Sequence, residues 1–422
     1  PALAFIPGGA GPGVITVPEL GLFEGASGAI DSDASRFDSY QVYDDLSFHS
    51  GRHLVRFGAS AEATVFDFDS SNSALGEFTF STLSDLLGNR PLRFRAMLPG
   101  TDTARLFRQG IFAWYVQDSW RVARRLTIEL SVRHEWITVP AEANGKLANL
   151  DDPAGTAVRT GGPWFRNPSR RNFAPRAGLA WDLRGGGSTV FRAGYGIYHD
   201  QILSQFLLIS GVRNPPFFLY ADARDLAAGG FPSGSYAELV SRPNIDLRME
   251  RIDPAPPQPY VQHWNASLSQ ALQGALTIQA TYAASHGLNL STIVEDANLV
   301  QPQRLSSGRL FFPAGAPKLN PAYGFIRNRL FNGHSFYNSL QTLLAWKAAA
   351  RLQLQAAFTW AKSIDDDSST FARTDATNSI GIPVDGVPGF NRGLSGHDVR
   401  RHLSIQAIWN LPRPGGRLGT VA

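Results

Sequence analysis

From Leu126 to Trp136 the chain reads LTIELSVRHEW. Leu126, Ile128, Leu130, Val132 and Trp136 fall on one parity, and Thr127, Glu129, Ser131, Arg133 and Glu135 on the other. Side chains alternate sides along an extended backbone, so the segment predicts a strand with two different solvents, one apolar and one aqueous. The same period of two recurs from Leu352 to Trp360 (LQLQAAFTW), from Leu276 to Tyr282, from Val55 to Val65 and from Leu403 to Trp409. Collecting such stretches predicts about eleven strands, with ends uncertain by a few residues. They lie near 38–48, 53–66, 110–120, 126–137, 174–182, 189–199, 259–270, 275–284, 336–346, 351–361 and 399–411.

The links between these strands alternate. A short turn (HSGR, RVARR, LRGGGS, ALQG, KAAA) is followed each time by a long polar excursion rich in Pro and Gly, near 67–109, 138–173, 200–258, 285–335 and 362–398. Unstructured loops beyond about 15 residues are uncommon in compact soluble domains. Outer-membrane barrels, with short periplasmic turns and long outer loops, produce this asymmetry. The aromatic residues agree. Trp120, Trp181, Trp346 and Trp409 lie on the apolar parity at the short-turn ends of their strands, and Trp136, Tyr282 and Trp360 lie on it at the long-loop ends. That placement predicts two aromatic girdles bounding a hydrocarbon band. The competing reading makes these aromatics the core of a large soluble β protein under a second layer. Loop asymmetry and end-placed Trp are separate signals, and both favour the barrel.

Composition narrows the chemistry. The chain has 422 residues, 43% hydrophobic and 18% charged, with a formal net charge of +4, 41 Gly, 27 Pro and no Cys. Disulfide frameworks, Cys-zinc sites and thiol nucleophiles are thereby excluded. No run of 18 apolar residues offers a helical span. The start at Pro1, without Met or a signal-peptide pattern, reads as a cut end. Basic residues are dispersed among acids, which argues against a nucleic-acid partner.

YVQDSW at 115–120, LTIELSVRHEW, APRAGLAWD at 174–182, FRAGYGIYHD at 191–200, YVQHWNASL at 260–268, YNSLQ at 337–341, FTWAKSIDD at 358–366 and GHDVRRH at 396–402 occur in that order. In this the chain resembles the β-barrel region of Oar-like TonB-dependent receptors of Gram-negative outer membranes. The resemblance covers most of the chain. It implies a barrel of about 22 strands, a plug domain, a preceding immunoglobulin-type module and a TonB box. Of these the chain shows only half of the barrel, and its C-terminus, PRPGGRLGTVA, reads as a turn leading to a further strand. The expectation is a fragment. It would be an all-β, antiparallel transmembrane β-barrel, partial, with residues 1–422 as one barrel domain in the cell outer membrane. The implied function is a transporter or receptor moving or binding a bulky ligand, such as a peptide, protein or carbohydrate, through a plugged lumen. Its implied partners are outer-membrane lipid and the TonB complex. A passive porin or an adhesion scaffold is the alternative, and a soluble β-rich enzyme or lectin the third.

Site candidates follow from parity. Arg56, Glu62, Glu129, Arg133, Glu135, Arg176 and Arg192 lie on the polar parity and are expected to face the lumen, either contacting a plug or solute or simply hydrated and paired with one another. His49 and His53 are four apart but flank a hairpin turn, which does not give helical metal-ligand geometry. His397 and His402 flank DVRR and are read as loop anchors. Asp365, Asp366 and Asp367 are read as a solvated loop, since they lack the spacing of a calcium-binding loop. GGAGPG at 8–13 lacks the Lys and Ser/Thr of a phosphate loop and is read as flexible. No G-x-S-x-G occurs. No catalytic set, metal or cofactor is expected, and the ligand-binding residues are left open.

Overall fold

In the computed structural model all eleven strands form, and they build one antiparallel sheet in chain order. They are β1 (Ala34–Ser50), β2 (His53–Asp69), β3 (Ala104–Ala123), β4 (Leu126–Ile137), β5 (Phe173–Asp182), β6 (Thr189–His199), β7 (Tyr260–Leu272), β8 (Leu276–Val294), β9 (Phe325–Ala349), β10 (Leu352–Asp365) and β11 (Arg401–Trp409). The structure describes the chain apart from residues 1–2, 10, 19, 25–32, 71–72, 205–207, 225, 243–246, 274, 295, 301, 350, 369–390 and 412–422. Among the described residues β1 and β11 are the two open edges.

Register shows that the parity seen in single strands is one property of the whole sheet. Arg56 faces Gln117, Gln117 faces Ser131, Ser131 faces Arg176, and Arg176 faces Gly196, all on the polar face. On the other face one row runs Trp120, Ile128, Leu179, Ala193, Ala266, Tyr282. It leaves the short-turn girdle at Trp120. Five strands later it reaches Tyr282, six residues beyond Leu276, which pairs with Trp346 of that same girdle. Six residues of rise over five interstrand steps corresponds to strands tilted by about 40° from the barrel axis. The sheet has the shear of a barrel wall.

The strands overrun their predicted limits at the long-loop ends. β3 starts at Ala104, β8 runs on to Val294 and β9 starts at Phe325. There the amphipathic pattern inverts. Along VFDFD at 65–69, Phe66 and Phe68 continue the polar face and are buried, whereas Asp67 and Asp69 continue the apolar face and are exposed. On β3 the buried Phe107 and exposed Arg108 repeat the inversion. A strand that leaves hydrocarbon keeps its hydrogen bonds but exchanges its solvents, and parity reading alone stops at that point.

The long excursions are not the unstructured polar loops expected from sequence. With the N-terminal segment they build a five-stranded sheet in the order Tyr220–Arg224, Arg93–Met97, Glu77–Thr79, Val14–Val17, Gly21–Glu24. Short helices form at Leu83–Leu87, Leu208–Val212 and Gly234–Ser241, and Arg248–Ile252 runs parallel to the start of β9. Three apolar clusters hold this cap together. One gathers Phe66, Phe68 and Phe107 from the wall with Leu147, Trp164, Phe165, Ile202, Phe218 and Ile252 from the loops. A second packs Phe5, Phe78, Phe80, Phe94 and Leu239, and a third Leu150, Met249, Val294 and Ile326. The 8–13 segment is correspondingly fixed at its end. Gly13 is buried where a Cβ would lie 1.9 Å from the Gly76 carbonyl oxygen, and the Val14 amide donates to that oxygen at 3.0 Å. That end is held by the strand that follows it, Val14–Val17.

Candidate functional site

All seven charged candidates stand on the polar face, though not in one place. Glu129, Arg176 and Arg192 line a concavity of about 530 Å³ together with Gln117, Tyr198, His263 and Asn265. Its floor is smooth because Gly178 faces Gly194 across the strands and Gly196 stands two residues further along the same strand. Gly196 has a further use, since a Cβ there would meet the Arg176 stem and the Tyr198 ring at 3.0–3.1 Å. Its absence lets the Arg176 guanidinium lie over that ring, 4.2 Å from the centroid, a cation–π contact. Arg133 and Glu135 pair along one strand at 2.7 Å. Glu62 accepts from Ser39 Oγ at 2.6 Å and Gln41 Nε2 at 3.3 Å. Arg56 lies between Ser47 and Gln117 in register. Most of these groups are therefore engaged with wall neighbours, while the concavity gathers two cations, Arg176 and Arg192, one anion, Glu129, and the rings of Tyr198 and His263.

A second, smaller concavity, about 260 Å³, joins Arg133 to Tyr43, Asp45, Ser60 and Tyr115. Here Tyr115 Oη donates to Asp45 Oδ1 at 2.6 Å, reaching across β2 above Gly58. A Cβ on Gly58 would sit 2.1 Å from that carboxylate oxygen and 2.7 Å from the Tyr115 ring. Gly58→Ala is expected to destabilise the wall by about 1–3 kcal/mol, as overpacking does, and to break the bridge. Unfolding in lipid vesicles of this variant and of Tyr115→Phe checks it, because the latter loses the hydrogen bond without the clash.

The girdle residues Trp120, Trp136, Trp181, Tyr282, Trp346, Trp360 and Trp409 all stand on the opposite, apolar face. They remain substantially exposed in the isolated chain, Trp360 at 58% and Trp409 at 65%. Trp136 stacks on its cross-strand partner Phe112 at 5.1 Å. Sequence reading missed two further tryptophans of this face, Trp114 and Trp264, although both obey the parity of their strands. It also missed a polar pair on it, His53 with Asp118. His49 and His53 point to opposite faces, in keeping with the hairpin. His397 does tie a loop, its ring nitrogen lying 3.1 Å from the Ser368 carbonyl, whereas His402 stands on the polar face of β11. The acidic run at 365–367 is less solvated than expected. Asp365 accepts from Ser368 Oγ at 2.8 Å, and Asp366 takes the His334 amide at 2.8 Å and lies 3.5 Å from Arg392.

The cap is fastened above the polar face by polar side chains that complete its backbone bonding. Gln109 Nε2 donates to the Thr138 and Ile202 carbonyls, each at 2.9 Å, and its Oε1 accepts the Ser204 amide at 3.0 Å. Arg105 donates to the carbonyls of Asp102, Ala104 and Val212. Burial pushes its guanidinium pKa down. Asn214 bonds both backbone groups of Glu250 and the carbonyls of Ala148 and Ser210. Burial opposes charge on Glu250, but Arg327, Arg248 and Arg213 around it outweigh that and hold its carboxyl below the ordinary range. Asp296 is the reverse case. Burial raises its carboxyl, although the amides of Asn298 and Ile326 donate to it.

The sequence matches the family model described as outer membrane beta barrel domain over residues 3–420. No curated protein matches it significantly. Among solved structures it is similar to the outer membrane transporter YddB of Escherichia coli, with 12% identity and a TM-score of 0.49, covering 89% of this chain and 40% of that one. The ferripyoverdine receptor of Pseudomonas aeruginosa gives 13% identity and 0.40, covering 80% and 34%. The alcaligin receptor FauA of Bordetella pertussis gives 13% and 0.40, covering 90% and 44%. The chain thus spans less than half the length of these proteins. A sheared sheet with one apolar, aromatic-edged face and one polar face, matched to that family over nearly all its residues, places this chain in the outer membrane β-barrel domain family and its location in the outer membrane.

Proposed function

We infer that the chain forms part of the wall and outer cap of a ligand-gated outer-membrane transporter of the TonB-dependent kind, its polar face lining a lumen that holds a plug. One observation supports this most. Directly above the polar face, Phe66, Phe68, Phe107 and Gln109 turn apolar or loop-binding, and two long loops, 138–173 and 200–258, converge on them with Trp164 at the centre. Loops anchored inward on the wall narrow the mouth on this side. That suits capture of a bulky ligand before a driven step better than free diffusion. The concavity beneath, where Arg176 and Arg192 stand with Glu129 and the Tyr198 ring, is a surface on which a plug or a polar, hydrogen-bonding ligand would rest. A passive porin remains the competing class.

The test uses the intact outer-membrane protein that carries this chain. In planar bilayers it is expected to show no steady conductance, and ligand accumulation by cells is expected to stop when TonB or the proton-motive force is removed. A steady open conductance, with accumulation indifferent to both, would establish the porin instead.

A further inference from the structure

At the long-loop girdle the apolar face carries two cations that meet no acid. Arg401 of β11 stands beside Trp360 in register, and Lys362 follows Trp360 by two residues on β10, about 5 Å nearer the water along the bilayer normal. Both are exposed, and among the described residues neither makes an ion pair or a side-chain hydrogen bond. Two acids of the flanking loops are engaged elsewhere. Asp398 accepts the Ser363 amide at 2.7 Å and pairs with Arg400, whose parity is that of the polar face. Asp366 accepts the His334 amide and lies 3.5 Å from Arg392.

Lys362 and Arg401 are diagonal neighbours across the β10–β11 ladder, a Cβ separation of about 7–8 Å at which like charges repel. In water the cost would be small, but both stand where the apolar face enters lipid, and an unpaired charge is expensive there. An anion between them removes both costs. On the other side of Lys362 in register is Asn338, whose Oδ1 accepts the Tyr282 hydroxyl at 2.7 Å and whose Nδ2 is left as a third donor. Toward the hydrocarbon, Trp360, Phe358 and Leu403 present an exposed apolar surface beneath these donors. Arg108 on the same rim differs, because Asp67 is its diagonal neighbour across β2 and β3.

We propose that Lys362, Arg401 and Asn338 hold the phosphate of one anionic lipid in the leaflet on the long-loop side. What covers this face is the leaflet itself, and the two cations select within it by charge. Each donates a charge-assisted hydrogen bond to the phosphate, while an acyl chain lies over Trp360, Phe358 and Leu403. A choline lipid brings its own cation into a place that already holds two. A free phosphate ion would gain the donors but forgo the chain contact. The site requires only that the apolar face meets lipid, and is independent of what the barrel carries.

The experiment places the intact protein in nanodiscs of phosphatidylglycerol and phosphatidylcholine in equal amounts and counts the retained lipids by native mass spectrometry. Arginines of the short turns also draw anionic lipid, so the difference between variants reads the site. Lys362→Gln combined with Arg401→Gln is expected to lose one phosphatidylglycerol, its occupancy falling about tenfold, the scale of one charge-assisted hydrogen bond. Lys362→Arg should keep that lipid, and so should Arg108→Gln, which removes a rim cation that already has an acid beside it. Inorganic phosphate should displace no more of it than chloride at the same ionic strength. Heat-modifiable migration of each variant checks that it has folded. Equal retention by the wild type and the folded double variant, an equal loss in Arg108→Gln, phosphatidylcholine held as well as phosphatidylglycerol, or displacement by inorganic phosphate beyond the chloride control would each overturn the assignment.

Discussion

Val132→Arg lowers the stability of the wall by about 2–4 kcal/mol, while Thr281→Arg lowers it by less than about 1 kcal/mol. Both substitutions place the same charge on a central strand. Val132 lies midway between Leu126 and Trp136, flanked in register by Val116 and Pro175 on the apolar face. A guanidinium there must either sit in hydrocarbon or bend away to a distant girdle. Thr281 lies between Ser267 and Gln341 on the polar face and accepts from Gln279 Nε2 at 3.1 Å. An added charge at that position stays in water. Denaturant unfolding of the intact protein in lipid vesicles measures both, and equal costs would mean that the two faces meet the same solvent.

The second large effect is confined to the cap. Trp164 is fully buried and packs on Phe107, 6.2 Å between centroids, and on Phe165. Gly211 lies so close that a Cβ there would be 2.6 Å from the indole. Trp164→Ala is expected to cost the cap about 3–5 kcal/mol, because a site walled by other rings collapses poorly. Trp164→Phe should cost much less, since the indole Nε1 makes no hydrogen bond that would be lost. Limited proteolysis would read the difference as cleavage in the loops of Trp164→Ala alone. The wall ladders should stay protected from hydrogen exchange, because their stability comes from pairing and lipid. Cleavage spreading to β3 and β4 in step with the loops would show that cap and wall unfold as one unit.

How much of this could be read beforehand differs between wall and cap. In the wall the cause is local. Each of Leu126, Ile128, Leu130 and Val132 meets the same solvent two residues after its predecessor, so single strands declare their faces and Trp136 declares where the band ends. β4 and β6 match the predicted limits residue for residue. The seven charged positions were legible for the same reason. The gathering of four of them, Glu129, Arg176 and Arg192 in one concavity and Arg133 in another, was not, since it depends on what faces each glycine across strands: Gly178 faces Gly194, Gly196 faces Arg176, and Gly58 lies between Asp45 and Tyr115. The cap's partners lie far apart in the chain. Val14 beside Glu77, Arg93 beside Arg224 and Arg248 beside Phe325 leave no periodic trace. The local signal available was the reversed alternation at Phe66 to Asp69 and again at Phe107 and Arg108, which reads as a strand end until the buried loops above it are known. His53 with Asp118 escaped because each looks like an isolated exception to its own strand.

That reversal also settles how deep the molecule floats. Were the wall to rise, the girdle tryptophans at its upper rim and the valines beneath them would be stripped of lipid. Were it to sink, Asp67, Asp69 and Arg108 would be driven into oil. Draught is therefore fixed by the strands themselves, and whatever sits on the outer rim can be lengthened, exchanged or remodelled without moving the waterline.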